Sequence, residues 1–358
     1  MKRRKLRELG IEVGKLPTGK KNCITDVEGV LVGHVTLIED LEGCETVRTG
    51  VTAILPHGRN LFREKVIAAS YVINGFGKTT GLIQLDELGQ IESPIMLTNT
   101  FGVPATTQGT LEYMLKQNPE IGDTTGTINI VVGECNDSYL NSIRLLPIKP
   151  RHAIEAIVKA NKNQVEEGAV GAGTGMVCFG YKGGIGSSSR TVKIGSGSFT
   201  VGCLVLSNFG KREEFRHWQY ENSKPEPEYM TDGSIMIVLA TDAPLSDRGL
   251  KRIAKRATIG LGRTGSHVSH GSGDIVIAFS TAITIDHTTE HVILTKQELR
   301  EDTLVYNQLF QAVAEVTEEA ILNSLTMSKT TTGRQGRIVE ELPYNFTRAM
   351  RGESSESK

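Results

Sequence analysis

The 358-residue sequence contains no apolar run near the roughly 18 residues that a membrane helix needs; its longest are stretches such as Ile235 to Ala240. No bilayer span is predicted. The first twenty-two residues carry eight Lys or Arg against two Glu but no apolar core of a leader peptide, a pattern that predicts a cytoplasmic start. Charge of one sign is missing as well. Forty Lys+Arg stand against forty-one Asp+Glu, so there is no general field for nucleic acid or an anionic membrane, and neither is expected as a partner.

Cysteine is sparse and unpaired in pattern. Cys23, Cys44, Cys135, Cys178 and Cys203 form no Cys-x-x-Cys motif and sit in mostly apolar or glycine-containing sequence, which predicts buried free thiols. His267 and His270 are spaced as His-x-x-His but lack nearby thiols or a helical HExxH, and His287 and His291 lack a partner set, so no metal site is expected. Aromatics are only 5% of residues. Neither GAVGAGTGM (168–176) nor KGGIGSSSR (182–190) fits a Walker loop or a GxGxxG turn, and no G-x-S-x-G elbow exists; both read as loops that let chains pass close to a site. No cofactor is predicted.

Glycine is abundant, at 39 residues, and supplies tight turns and places where backbone approaches backbone or ligand. With 38% apolar and 23% charged residues, the chain has enough to bury for a globular fold. Short Val/Ile/Leu-rich runs predict strands at 49–56, 66–74, 127–133, 199–208, 234–241 and 274–281. Helical patterns fall at 107–116, 151–166 and 247–259, the last with Ser246 as N-cap. The longest helix is expected at 302–326, with Leu304, Leu309, Val313, Val316, Ala320, Ile321 and Leu325 covering a sheet and glutamates on the other face. Strands outnumber a simple βαβ alternation, which favours an α+β arrangement of stacked sheets flanked by helices over a doubly wound sheet.

One interruption stands out. Residues 211–233, KREEFRHWQYENSKPEPEYMTDG, hold ten charged residues and two prolines in twenty-three positions and read as an exposed linker. The apolar run SIMIVLAT follows with no transition. The chain has six Gly-Ser pairs, but only Gly233-Ser234 lies at such a junction. A carbonyl on a residue without Cβ is open to a neighbouring hydroxyl, and glycine tolerates a strained φ/ψ, so the pair suits self-attack: the Ser234 hydroxyl would cleave the preceding bond and then serve as nucleophile. By itself Ser234 reads more readily as an ordinary strand-starting serine.

Downstream, His270-Gly-Ser272-Gly-Asp274 places a hydroxyl and a carboxylate two residues apart, on one face if extended, so that a polarised Ser272 would orient a nucleophile. The alternative is a turn or capping pair. Asn208, at the end of VGCLVLSN, and Tyr139, in GECNDSYLN, are candidate donors for an oxyanion, or else a turn asparagine and a core-edge tyrosine. Glu134 and Asp137, in that same loop, are candidates to hold a substrate ammonium, or else solvated loop carboxylates.

Taken together, NCITDVEGVLVGHVTL, RTGVTAILPHG, NGFGKTTGL, PIMLTNT, GECNDSYLN, GAGTGM, KGGIGSSSR, TVGCLVLSNFG, DGSIMIVLATDAPL and HGSGDIVIAFSTA resemble the DmpA-type self-processing aminopeptidases, the family of L-aminopeptidase/D-esterase and β-peptidyl aminopeptidase. The likeness covers about residues 8 to 345. It implies a DmpA-type αββα sandwich like the N-terminal-nucleophile hydrolases but differently connected, in a single domain 1–358 cleaved into 1–233 and 234–358. It places the nucleophile on Ser234, its partners on Ser272 and Asp274, and the oxyanion residues on Tyr139 and Asn208. It implies no metal or organic cofactor and a homotetramer of processed pairs. The activity implied is hydrolysis of short peptides, amides or esters bearing a free N-terminal amine. Two rivals remain: an acyltransferase of related fold, as in ornithine acetyltransferase, where a threonine rather than a serine starts the second subunit, and an unprocessed small-molecule-binding homologue.

Overall fold

In the computed structural model of the chain, residues 2–216 and 233–344 are described. In chain order the strands and helices begin with β1 (Leu31–Asp40), β2 (Thr46–Leu55), β3 (Glu64–Gly75), α1 (Leu82–Leu88), β4 (Gln90–Ile91), β5 (Ile95–Asn99), α2 (Val103–Gln117), β6 (Val131–Cys135) and α3 (Pro150–Val158). They continue with β7 (Val177–Cys178), β8 (Tyr181–Lys182), β9 (Gly184–Ile194), β10 (Gly197–Asn208), β11 (Ser234–Thr241), α4 (Asp247–Ala254), α5 (Ala257–Thr264), β12 (Gly273–Asp286) and α6 (Leu304–Met327), and end with β13 (Thr331–Thr332) and β14 (Ile338–Val339).

Two sheets stack. One has the order β1-β2-β5-β6 and the other β4-β3-β12-β11-β10-β9, with β7–β8 and β13–β14 as small ribbons. Between them lies a core to which both contribute, including Ile54, Leu97 and Val131 from the first sheet and Leu206, Met236, Val238 and Ile277 from the second. Helices α2 and α3 cover the outer face of the four-stranded sheet, where Val51, Met96 and Val132 meet Met114, Ala153 and Ile157. Helices α4, α5 and α6 cover the outer face of the six-stranded sheet. The result is an α+β sandwich of four layers, αββα, as expected.

The strand β11 shows why its sequence is apolar throughout. Ile235, Ile237 and Leu239 enter the helix-covered core while Met236, Val238 and Ala240 enter the core between the sheets. A strand buried on both faces has no polar side to alternate. Its neighbours are β10, antiparallel, and β12, parallel.

Several expectations are corrected. KGGIGSSSR is largely strand β9, not a loop; its serines are buried and bonded inward, Ser187 Oγ to the Cys203 carbonyl and Ser188 Oγ to the Val316 carbonyl, each at 2.7 Å. The helix expected at 151–166 stops at Val158, and that at 247–259 is two helices, α4 and α5, broken at residues 255–256. Strand β1 had no counterpart among the predicted strands. The glutamates of α6 do not all face water: Glu315 and Glu319 are buried at 2% and 0% exposed. Four cysteines are buried free thiols, but Cys44 is exposed. The expected linker 211–233 begins with a 3-10 turn, Arg212–Glu214, and then Phe215, which is buried 5.0 Å from the Phe179 ring rather than exposed; residues 217–232 lie outside the described residues, as does the polar tail RGESSESK.

Candidate active site

The ends of three neighbouring interior strands of the six-stranded sheet meet at one end of that sheet. Asn208 ends β10, Ser234 begins β11 and Gly273 begins β12; Ser234 is the register partner of both. The Ser234 hydroxyl oxygen accepts a hydrogen bond from the Gly273 N–H at 3.1 Å. Glycine is needed there because a Cβ would stand 2.8 Å from Gly77 Cα and N and 3.2 Å from Ser234 Oγ. Gly233 is also held by contact: a Cβ on it would lie 1.9 Å from the Asn208 carbonyl oxygen. Its φ is not in the left-handed region, so close packing rather than backbone strain calls for glycine before the serine.

Ser272 and Asp274 flank Gly273, and Ser272 Oγ donates to Asp274 Oδ1 at 2.7 Å. Both are buried. Burial pushes the Asp274 carboxyl up to about 6, against the opposing pull of the Ser272 hydroxyl and the Ile235 N–H. The Ser272 proton therefore points at Asp274, and the donor on Ser234 Oγ is a backbone amide.

Asn208 lies beside them. Its Oδ1 accepts from Val177 N at 2.8 Å and its Nδ2 donates to the Asn136 carbonyl at 3.0 Å, which uses one of the two amide hydrogens. The Tyr139 ring packs with Leu140, Val177 and Val339, with the Arg337 guanidinium 4.9 Å from its centroid.

The opposing sheet contributes Glu134. It sits on β6, where Gly133 leaves room for the Met236 side chain: a Cβ there would lie 2.5 Å from Met236 Cε. Glu134 is 3% exposed and accepts from Lys78 N at 2.7 Å and from Thr100 Oγ1. Its Oε1 borders Gly77, the residue packed on Gly273. Asp137 is placed differently. It is fully enclosed, accepts from Asn141 Nδ2 at 3.0 Å, and is pushed by burial up to about 7 against hydrogen bonds from Thr49, Asn141 and Asn99.

Four contributors had no signal in the sequence. The Gly273 N–H is a backbone group that any residue but proline carries. Thr100 and Lys78 reach Glu134 from segments 34 and 56 residues away. Lys182, the register partner of Val177, is buried with its Nζ donating to the carbonyls of Gly173, Met176 and Gly183, and burial pulls it down to about 7 against the nearby Asp137. Among the described residues no group of His, Cys, Asp and Glu is arranged to hold a metal ion, and no helix is long and apolar enough to cross a membrane.

This geometry can be set beside known proteins. The profile of Peptidase family S58 matches residues 22–339. The chain is 39% identical over 367 residues to beta-peptidyl aminopeptidase BapA of Sphingosinicella microcystinivorans, covering 96% of this chain and 91% of that one. Among solved structures it resembles the PH0078 protein of Pyrococcus horikoshii OT3, at 48% identity and TM-score 0.89, over 98% of this chain and 99% of that one. It also resembles the l-aminopeptidase d-ala-esterase/amidase of Ochrobactrum anthropi, described as a prototype of the serine aminopeptidases and a new variant of the Ntn hydrolase fold, at 33% identity and TM-score 0.89, over 98% of each chain. The fold, the length matched and the identities agree: the chain belongs to peptidase family S58, the DmpA and β-peptidyl aminopeptidase group, and is a hydrolase of that family.

Proposed function

We propose that Ser234 first cuts its own chain and then acts as the nucleophile of a serine aminopeptidase. In the first stage its hydroxyl adds to the Gly233 carbonyl carbon. The C–N bond breaks as the nitrogen takes a proton, leaving Gly233 esterified to Ser234 Oγ. Water hydrolyses that ester, releasing the Gly233 carboxylate and leaving residues 234–358 with an α-amine and a hydroxyl on one residue. In the second stage the neutral α-amine accepts the hydroxyl proton as Oγ attacks a substrate carbonyl, and returns it to the leaving group. Water then frees the acyl group.

The observation that carries this reading is the setting of Ser234 Oγ. It lies where three strand ends meet, next to a glycine wedged against Asn208, and its hydrogen-bond partner is a backbone N–H. Among the described residues neither histidine nor lysine bonds to that hydroxyl, and an amine on Ser234 itself supplies the base. The second amide hydrogen of Asn208, together with Tyr139, is assigned to the developing oxyanion. The Ser272–Asp274 pair fixes the start of β12, and Glu134 anchors the substrate ammonium. Asp137, enclosed as it is, supports that loop from behind.

The substrates are short peptides, amides and esters with a free N-terminal amine, in keeping with the β-peptidyl and L-aminopeptidase/D-esterase activities named for the relatives. The enzyme is read as a single-domain cytoplasmic protein assembling as a homotetramer of cleaved pairs. Replacing Ser234→Ala should lower kcat on aminoacyl-p-nitroanilides at least about 10⁴-fold. Activity within tenfold of the parent would remove the nucleophile from this serine. A panel of L-α, D-α and β substrates would then rank the preference.

A further inference from the structure

The turn that delivers Gly273 N–H to the Ser234 hydroxyl is held by a side chain outside the catalytic set. Asn74, at the end of β3, directs its Nδ2 to three carbonyl oxygens of that turn: Ser269 at 3.1 Å, His270 at 3.0 Å, and Ser272 in the shortest contact of the three. The Phe76 N–H adds a second donor to the Ser272 carbonyl at 3.3 Å. That carbonyl belongs to the same peptide unit as Gly273 N, so fixing the oxygen fixes the direction of the N–H on its other side.

Local backbone geometry explains how Asn74 reaches the turn. The register between β12 and β3 pairs Asp274 with Asn74 and then Ile275 with Val72, leaving Ile73 unpaired. Such a bulge bends a strand and re-aims the side chain next to it. The residue leading into the turn is strained. Val268 has φ 57°, in the left-handed region that a β-branched residue avoids, so its conformation persists only because neighbours impose it. Asn74 is half-buried, and among the described residues its side chain bonds to no other group, so its amide serves this turn.

We infer that Asn74 is a positioning residue for the reaction: it clamps the 269–272 turn so that Gly273 N–H, and with it the Ser272–Asp274 pair, stay aligned with the Ser234 hydroxyl. The inference rests on Ser234 being the nucleophile. A displacement of about 1 Å in a reacting group can cost about 10²-fold in rate. The clamp holds a donor to the hydroxyl and does not touch the assigned ammonium anchor, so its loss acts on kcat rather than KM.

The test uses the full-length protein. Asn74→Ala and Asn74→Asp are compared with the parent for kcat and KM per mole of cleaved chain, for the rate at which full-length chain disappears, and for melting temperature. The expected result is a fall in kcat of about 10- to 100-fold in the alanine variant with KM within about threefold, and slower cleavage. The aspartate variant should fall further, since a carboxylate would face three carbonyl oxygens where a donor stood. Both should melt within a few degrees of the parent. An unchanged kcat in the aspartate variant, or a kcat loss in either variant matched by a proportional loss of folded protein, overturns the clamp. Ser234→Ala runs alongside: activity surviving there overturns the nucleophile reading and this inference with it, whereas an inactive Ser234→Ala beside a fully active Asn74→Asp overturns only the clamp.

Discussion

Glu315 and Glu319 on α6, and Asp274 at the head of β12, are enclosed to similar degrees, at 2%, 0% and 1% exposed, yet they stand in opposite surroundings. Beneath α6, Arg190 donates from Nε to Glu315 at 3.0 Å and from Nη2 to Glu319 at 2.6 Å, and Arg7 adds a bond to Glu319 at 3.0 Å. Burial pushes the Glu315 carboxyl up, but donation from Gln311, from the Lys15 and Leu16 amides and from Arg190 outweighs it, and the group ends below its ordinary range. Among the described residues no cation pairs with Asp274. Its donors among the described residues are a serine hydroxyl and a backbone amide, its Oδ2 has no hydrogen-bond partner among them, and burial raises it to about 6.

The difference separates two uses of buried charge. The network under α6 is compensated, and it spans the proposed cut: Arg7 and Arg190 precede Gly233–Ser234, whereas Glu315 and Glu319 follow it. Breaking that one peptide bond leaves these pairs, and the core shared by β10, β11 and α6, in place to hold both fragments. The carboxyl at the site is left short of partners, as groups poised for chemistry often are.

The contrast can be broken first at Arg190. Replacing Arg190→Met leaves two buried carboxylates short of a cation, and should destabilise the fold by about 3–5 kcal/mol in denaturant unfolding, toward the lower figure because Arg7 remains on Glu319. A loss under about 1 kcal/mol would mean that the network is not compensating its own burial cost.

Asp274→Asn probes the other side. The folded-state value near 6 lies above the ordinary 3.8, so the favourable contribution of this group is fully present below pH 3.8 and is lost as pH rises through 6. Removing the ionisable group should therefore stabilise the protein at pH 8, by up to about 3 kcal/mol, and change little at pH 3.5, while lowering activity. Melting at the two pH values reads it directly; equal effects at both would show that Asp274 is not the strained partner in the comparison.

A smaller effect is expected at Gly186 on β9, where a Cβ would lie 1.9 Å from the Ala320 carbonyl of α6. Gly186→Ala should cost about 1–3 kcal/mol by forcing the helix away from the sheet. Full stability would indicate that α6 rides higher over β9 than these contacts require.

The same two regions show how far the sequence could be read. The span of β11 was legible because a run apolar on both faces has few other interpretations, and the junction before it marked Ser234. Ser272 and Asp274 were legible through their spacing. Strand β9 was not, since GIGSSSRTVKI has the composition of a loop; its serines are bonded to carbonyls and carboxylates distant in the chain, such as Ser189 Oγ to Asp26 at 2.7 Å. Glu315 and Glu319 read as a solvent face because their partner Arg190 lies 125 and 129 residues away. The hydrogen bond on the Ser234 hydroxyl was beyond any residue pattern, as the donor is an amide of the main chain.

Everything assigned to Ser234 converges on the mass of the protein after incubation. Intact-mass measurement of the parent chain, with Ser234→Ala beside it, should find two species ending at Gly233 and beginning at Ser234 in the parent and a single full-length species in the variant. A parent that hydrolyses aminoacyl substrates while its Gly233–Ser234 bond stays whole would contradict the account.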